Sequence, residues 1–115
     1  MAFVGRIEDA ELAFRDLREV EEPRLRPIAV VDYAYGGRRG RFKGYPLFGG
    51  DTGLERAVRE CGVNAVVMID RGEVGNDDTR RVGEYLVSEG ALDVFAVRIS
   101  VGLAPVEVST GIGGP

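Results

Sequence analysis

The stretch PIAVVDYAYGGRRGRFKGYPLFGG, residues 27–50, decides the fold class of this chain. It opens on a continuous apolar run, rich in β-branched side chains, that ends in Asp32. Such a run is typical of a strand buried on both faces of a parallel sheet. The glycine-rich remainder shows no sustained periodicity, so residues 33–50 are predicted to form a loop. A second run, VNAVVMID at residues 63–70, repeats the pattern and also ends in an aspartate, Asp70.

Helical segments separate the predicted strands along the chain. Apolar side chains recur at helical spacing over residues 8–20 and over residues 52–61, and a third helix is predicted to begin near Thr79. Thr52 is the expected N-cap of the second helix, and Gly62 is its expected end. The predicted strands cover residues 1–4, 27–32, 63–70 and 92–99.

Strands that alternate with helices predict an α/β fold, in which parallel strands are joined by right-handed crossovers. We expect a Rossmann-like open parallel sheet of about four strands in the order 2-1-3-4, with helices on both faces. This domain is expected to span residues 1–100, and residues 101–115 to add a short edge strand and a flexible tail. Because the chain starts almost inside its first strand, we expect it to be a piece of a longer protein.

Composition narrows the class of protein. With 44% hydrophobic and 30% charged residues, the chain of 115 residues is expected to form one globular domain. Its net charge of −4 argues against nucleic-acid binding. No window of the sequence is apolar enough to span a membrane. The single cysteine, Cys61, excludes an internal disulfide and fits a reducing compartment, so a cytoplasmic location is expected. The absence of histidine removes the commonest general base and metal ligand, so neither a metal site nor a catalytic residue is predicted.

A ligand is expected at the carboxyl ends of the parallel strands, where Gly5, Asp32 and Asp70 should meet. A dinucleotide-binding loop would read Gly-x-Gly-x-x-Gly, but residues 5–10 read GRIEDA, with isoleucine at the middle glycine and two acids at the helix start. Binding of NAD(P) or another nucleotide through this loop is therefore disfavoured, and the cofactor stays unidentified. Asp32 suits either a ribose-binding acid or a turn-forming residue, and both interpretations remain open.

A basic segment follows the second strand. Arg38, Arg39 and Arg41 would neutralise a phosphate or diphosphate if the loop folds back over the strand ends, whereas a short run of charge is otherwise a solvated face. Asp70 and the acids at residues 77–78 have the chemistry to hold a magnesium ion, but places in a loop and at a helix N-terminus explain them more simply.

Three segments carry a resemblance: RPIAVVD at residues 26–32, GYPLFG at residues 44–49 and GVNAVV at residues 62–67. Together they resemble the Rossmann-like, CoA-binding-type domain of polysaccharide-biosynthesis proteins, over most of residues 1–99. The Gly-x-Pro-x-x-Gly turn after a strand that ends in aspartate is the most specific part. Such domains occur in membrane-linked nucleoside-diphosphate-sugar epimerases/dehydratases and in polyprenyl-phosphate sugar transferases.

The resemblance implies a non-catalytic, regulatory domain of a cell-envelope polysaccharide enzyme. Its ligand would be a nucleotide, a nucleotide-sugar or a CoA-like compound, held between Asp32 and the arginine segment. It also implies a flanking membrane or catalytic domain as partner, while bare sheet edges suggest a homo-oligomer. The Tyr-x-x-x-Lys pair of an epimerase is missing, so catalysis is expected elsewhere in the parent protein. A ligand-free interaction module is the alternative, and a receiver-like domain with Asp70 as phosphoacceptor is the third hypothesis.

Overall fold

The computed structural model describes residues 1–36, 40–69, 77–88, 91–98 and 107–110. Strands and helices alternate through most of these ranges. In chain order the elements are β1 (Ala2–Val4), α1 (Ile7–Leu17), a short 3-10 helix (Pro23–Leu25), β2 (Ala29–Asp32), β3 (Gly40–Phe42), β4 (Tyr45–Gly49), α2 (Gly53–Cys61), β5 (Ala65–Ile69), α3 (Asp77–Ser88), β6 (Asp93–Arg98) and β7 (Glu107–Thr110).

All these strands belong to one mixed sheet in the order β3-β4-β2-β1-β5-β6-β7. The inner strands from β4 to β6 run parallel, whereas β3 and β7 pair antiparallel with β4 and β6 at the two edges. The predicted α/β class with a mostly parallel sheet is confirmed. The prediction of about four strands in the order 2-1-3-4 is wrong for the sheet as a whole. Its four strands form the centre, β2-β1-β5-β6, and three further strands extend that centre on both sides.

Residues 33–50, predicted to form a loop, contain both β3 and β4. The two strands are joined by a tight turn in which Lys43 has φ 49° and Gly44 has φ 87°, and positive φ at both central residues is the mark of a type I′ hairpin. Pro46 obscured β4 in the sequence because proline is rare inside sheets. It precedes Leu47, where the pairing of β4 with β2 begins.

Alternation along the central strands divides the core into two layers. Phe3 and Val30 belong to the layer on the α1 side of the sheet, and Val4 and Val31 belong to the layer on the α2 and α3 side. All four are fully buried. Helix residues complete the first layer: Ala10, Ala13 and Leu17. Others complete the second: Leu54, Ala57 and Val82. Helices therefore cover both faces of the sheet, as predicted.

The helix ends agree only in part with the sequence pattern. α1 ends three residues earlier than predicted, and Thr52 makes no side-chain capping bond at the start of α2. Gly62 does end α2, since it adopts φ 67° and its amide donates to the Val58 carbonyl at 3.0 Å. Cys61, the last residue of α2, is half-buried.

In the described ranges, no helix has the length and apolar character that crossing a membrane requires.

Candidate functional site

Two of the predicted site residues, Gly5 and Asp32, lie together at the carboxyl edge of β1 and β2. The Gly5 amide donates to the Val31 carbonyl at 2.9 Å, so Gly5 continues the contact between these strands. A Cβ at Gly5 would come within 2.9 Å of the Phe3 ring. Packing against Phe3 therefore explains the glycine without a ligand.

The carboxylate of Asp32 closes the N-terminus of α1. Its Oδ2 accepts a hydrogen bond from the Ile7 amide at 3.1 Å, and its Oδ1 accepts one from the Ala34 amide at 2.9 Å. The N-cap residue Arg6 makes no side-chain capping bond, so a residue of the neighbouring strand satisfies the first free amide of the helix. In a dinucleotide-binding fold the same helix end holds a phosphate. In this chain the carboxylate of Asp32 occupies that position.

The carboxyl end of β4 is closed on the same side of the sheet. Gly49 pairs in register with Asp32, and a Cβ at Gly49 would lie 2.0 Å from the Tyr35 carbonyl oxygen. Tyr35 packs against the core layer on the α1 side. The backbone itself therefore covers this side of the edge, around Asp32.

Arg41 is not brought to this edge. It lies on β3, two strands from β2, and its guanidinium donates to the Gly44 carbonyl at 3.0 Å. That carbonyl belongs to the hairpin turn that precedes β4, and because β4 runs parallel to β2, the turn lies at the opposite end of the sheet from Asp32. Three other predicted site residues lie outside the described part of the chain: Arg38, Arg39 and Asp70.

An open cleft of about 430 Å³ lies on the other side of the sheet, between α2 and α3. Its volume falls within the range of small-molecule sites, roughly 300–1,000 Å³. Leu54, which is 2% exposed, is its apolar wall. The rest of the lining is mainly charged or aromatic: Tyr33, Asp51, Glu55, Arg80, Arg81, Glu84 and Tyr85.

Arg81 is the centre of the charge network in this cleft. Its guanidinium carbon lies 4.7 Å from the centroid of the Tyr33 ring, in a cation–π arrangement. The same guanidinium binds the carboxylate of Asp51 at 2.6 Å and that of Asp77 at 2.9 Å. Tyr33 and Asp51 follow β2 and β4, so Arg81 ties α3 to the ends of two strands.

Arg80 extends the network along α3. It binds Asp77 at 2.5 Å and Glu84 at 2.7 Å. These carboxylates are well exposed, and ion pairs of exposed groups contribute only about 0–1 kcal/mol to stability. The ion pairs of Arg80 therefore contribute little to stability, whereas the side chain of Arg81 is only 26% exposed.

Two groups beside the cleft have shifted pKa values. Burial, together with the charge of Asp78, raises the pKa of Tyr33 to about 12, against the opposing effect of Arg81. Burial, and then the charge of Asp32, raise the pKa of Asp78. Both shifts arise because water is partly excluded and carboxylates accumulate at this edge. Further negative charge is therefore unfavourable here unless an arginine receives it.

The sequence pattern indicated only the acids at residues 77–78 near this cleft, as candidate magnesium ligands, and did not indicate the residues that line it. The available signal was DDTRR at residues 77–81, in which acids precede arginines at helical spacing. That spacing predicts ion pairs on a helix surface, which are present, and does not indicate a ligand. Only the tertiary placement of α3 beside Tyr33 and Asp51 creates the cleft.

Within the residues that the structure describes, no group of three or more acidic or cysteine side chains is arranged to hold a metal ion. The cleft between α2 and α3 is the candidate site on the basis of its shape and charge.

No protein-family model, curated protein or solved structure matches this chain.

Proposed function

We propose that this chain is a non-catalytic domain that binds a nucleoside-diphosphate sugar, or a related nucleotide, in the cleft between α2 and α3. The observation that carries the proposal is the environment of Arg81. Its guanidinium lies over the ring of Tyr33, which helps to position it, and it pairs with two exposed carboxylates, those of Asp51 and Asp77. A guanidinium held in this way offers a planar pair of donors to a phosphate.

The remaining lining favours a ligand that combines few charges with many hydroxyl groups. Among the described residues that line the cleft, two arginines face three acids: Asp51, Glu55 and Glu84. A diphosphate would bind the arginines, while the hydroxyls of the sugar would donate to the carboxylates of Glu55 and Glu84. A CoA-like compound carries an additional phosphate, which would lie among these acids. We therefore expect CoA to bind more weakly than a nucleotide-sugar.

The proposed setting is a cell-envelope polysaccharide enzyme, either a sugar transferase or a nucleoside-diphosphate-sugar epimerase/dehydratase. The support is the resemblance carried by residues 26–32, 44–49 and 62–67. In that setting the domain holds or senses the nucleotide-sugar on the cytoplasmic side, and a flanking domain performs the chemistry. The absence of histidine from the sequence agrees with this division of roles.

Thermal-shift measurements with UDP-glucose, UDP, NAD and CoA test the proposal. A ligand that binds only the native state raises its stability, by about 2.7 kcal/mol at a concentration 100 times Kd. We expect the largest shift with UDP-glucose or UDP, and we expect Arg81→Gln to abolish it. Arg41→Gln is the matched control, because it removes the same charge at the opposite end of the sheet.

Two outcomes contradict the proposal. An equal loss of the shift in the Arg81 and Arg41 variants would show that the nucleotide responds only to overall charge. The absence of a shift with all four compounds at millimolar concentration would favour the second candidate function.

That second candidate is a ligand-free interaction module, and the contact of Asp32 with the Ile7 amide favours it. The anion position that binds phosphate in related folds is already occupied, so the fold can persist without a ligand. Light scattering over a range of protein concentrations tests this candidate. A self-associating module would rise in mass from 12.4 kDa towards a multiple of that value. A constant mass would exclude self-association as its role.

A further inference from the structure

Asp51 is the least constrained of the carboxylates that bind Arg81. Its side chain is 88% exposed, compared with 60% for Asp77. Asp77 precedes Arg81 by one turn of the same helix, so helix geometry keeps that pair close. Asp51 instead lies in the turn after β4, and its Oδ1 accepts a hydrogen bond from Nη1 of Arg81.

We infer that Asp51 competes with the ligand for Arg81, and so makes the cleft selective for phosphate groups over weaker anions. This inference rests on the proposed function, because it concerns the same cleft. The Asp51 carboxylate lies 2.6 Å from a guanidinium nitrogen, where a phosphate oxygen of a ligand would bind. A ligand oxygen that takes this position on Nη1 must therefore displace the Asp51 carboxylate.

The selectivity follows from charge. A carboxylate ligand carries one negative charge, as Asp51 does, so exchanging one for the other brings no electrostatic gain. A diphosphate carries more charge and more acceptor oxygens, so it gains on exchange, and it can contact Arg80 as well. The cleft therefore prefers phosphates to simple carboxylates, and Asp51 lowers the affinity for both.

Isothermal titration calorimetry of the full chain with UDP, pyrophosphate and acetate tests the inference in three proteins: wild type, Asp51→Asn and Asp93→Asn. Asp93 is a matched control, because it is also an exposed acid paired with an arginine, Arg24, and lies outside the cleft lining. We expect Asp51→Asn to bind UDP and pyrophosphate roughly two- to fivefold more tightly, the factor that an exposed ion pair represents. Asp93→Asn should bind as the wild type does.

The outcomes separate this inference from the proposed function. Suppose that the wild type binds UDP while Asp51→Asn gains no more affinity than Asp93→Asn. That result would refute the competition by Asp51 and leave the proposed ligand site in place. If neither the wild type nor Asp51→Asn binds UDP or pyrophosphate, both are wrong. Acetate binding to the wild type as tight as that of pyrophosphate would overturn the selectivity. The gain in Asp51→Asn should also shrink as salt is added, because exposed charges are screened.

Discussion

The two sides of the sheet differ most where the strands end. On the α1 side, the carboxyl edge is closed by Asp32, which caps the helix, and by the Tyr35 backbone, which lies over Gly49. On the other side, α2 and α3 leave an open cleft in which charged side chains bind one another. The same edge of the sheet is therefore closed by structural contacts on the α1 side, whereas on the other side it carries an open cleft with ion pairs between side chains.

The contrast between Asp32 and Asp51 shows what separates the two ends. Asp32 is half-buried and accepts hydrogen bonds from two backbone amides, whose positions are fixed by the chain. Asp51 is exposed and binds a guanidinium, which can exchange partners. A carboxylate bound to backbone amides therefore serves the fold, whereas one bound to an arginine in an open cleft contributes little to it.

The strongest test of the closed side is Gly49→Ala. A Cβ there would overlap the Tyr35 carbonyl oxygen at 2.0 Å, and backbone cannot move aside as a flexible side chain can. We expect a loss of about 3 kcal/mol in the free energy of unfolding by urea, the upper part of the range for overpacking. Gly36→Ala is the control, because a Cβ there meets none of the described residues within 4 Å. Equal stability of the two variants would show that the α1 side is not closed by the backbone.

Asp32→Ala tests the cap of α1. The substitution leaves the amides of Ile7 and Ala34 without their acceptor, which should cost about 2 kcal/mol of stability in the same urea measurement. Asp32→Asn should lose about half as much, because its amide oxygen can still accept from one of them. Hydrogen exchange should show faster exchange at the Ile7 amide in Asp32→Ala. Unchanged exchange there would contradict the role of Asp32 as the cap.

The pKa of Tyr33 tests how far water is excluded at the wall of the cleft. Its pKa is raised to about 12 from the ordinary value of 10.0, mainly by burial. The folded protein therefore keeps a proton that the unfolded chain loses, and the stability contributed by Tyr33 is lost as pH rises from about 10 to about 12. Near-ultraviolet absorbance of tyrosinate should reveal one late-titrating tyrosine that is missing in Tyr33→Phe. A titration in which Tyr33→Phe matches the wild type would place Tyr33 in water.

The sequence predicted the parts of this fold that local pattern encodes. The strands β2 and β5 are continuous buried runs, and they were found because such runs occur in parallel sheets. β4 was missed because Pro46 interrupts the expected pattern, although Lys43-Gly44 between two aromatic residues is a usable hairpin signal.

The candidate site was less predictable, for a physical reason. Asp32 was placed correctly at the end of a strand, but its partner, the Ile7 amide, is distant in sequence and could not be known. The pairing of Arg81 with Tyr33 and Asp51 likewise joins segments that only the packing of α3 against the sheet brings together. Spacing along one helix reveals its own ion pairs and cannot reveal contacts with other elements.

The smallest expected effect is that of Asp51→Ala, and it completes the comparison with Asp32→Ala. Because Asp51 is 88% exposed and Arg81 keeps Asp77 as a partner, the removal of Asp51 should change the free energy of unfolding by no more than about 0.5 kcal/mol. The double variant Asp51→Ala/Arg81→Gln should show little coupling between the two positions in urea denaturation. A loss for Asp51→Ala as large as for Asp32→Ala would mean that the ion pair holds the fold together. In that case both sides of the edge would be structural, and Arg81 would not be free to exchange Asp51 for a phosphate.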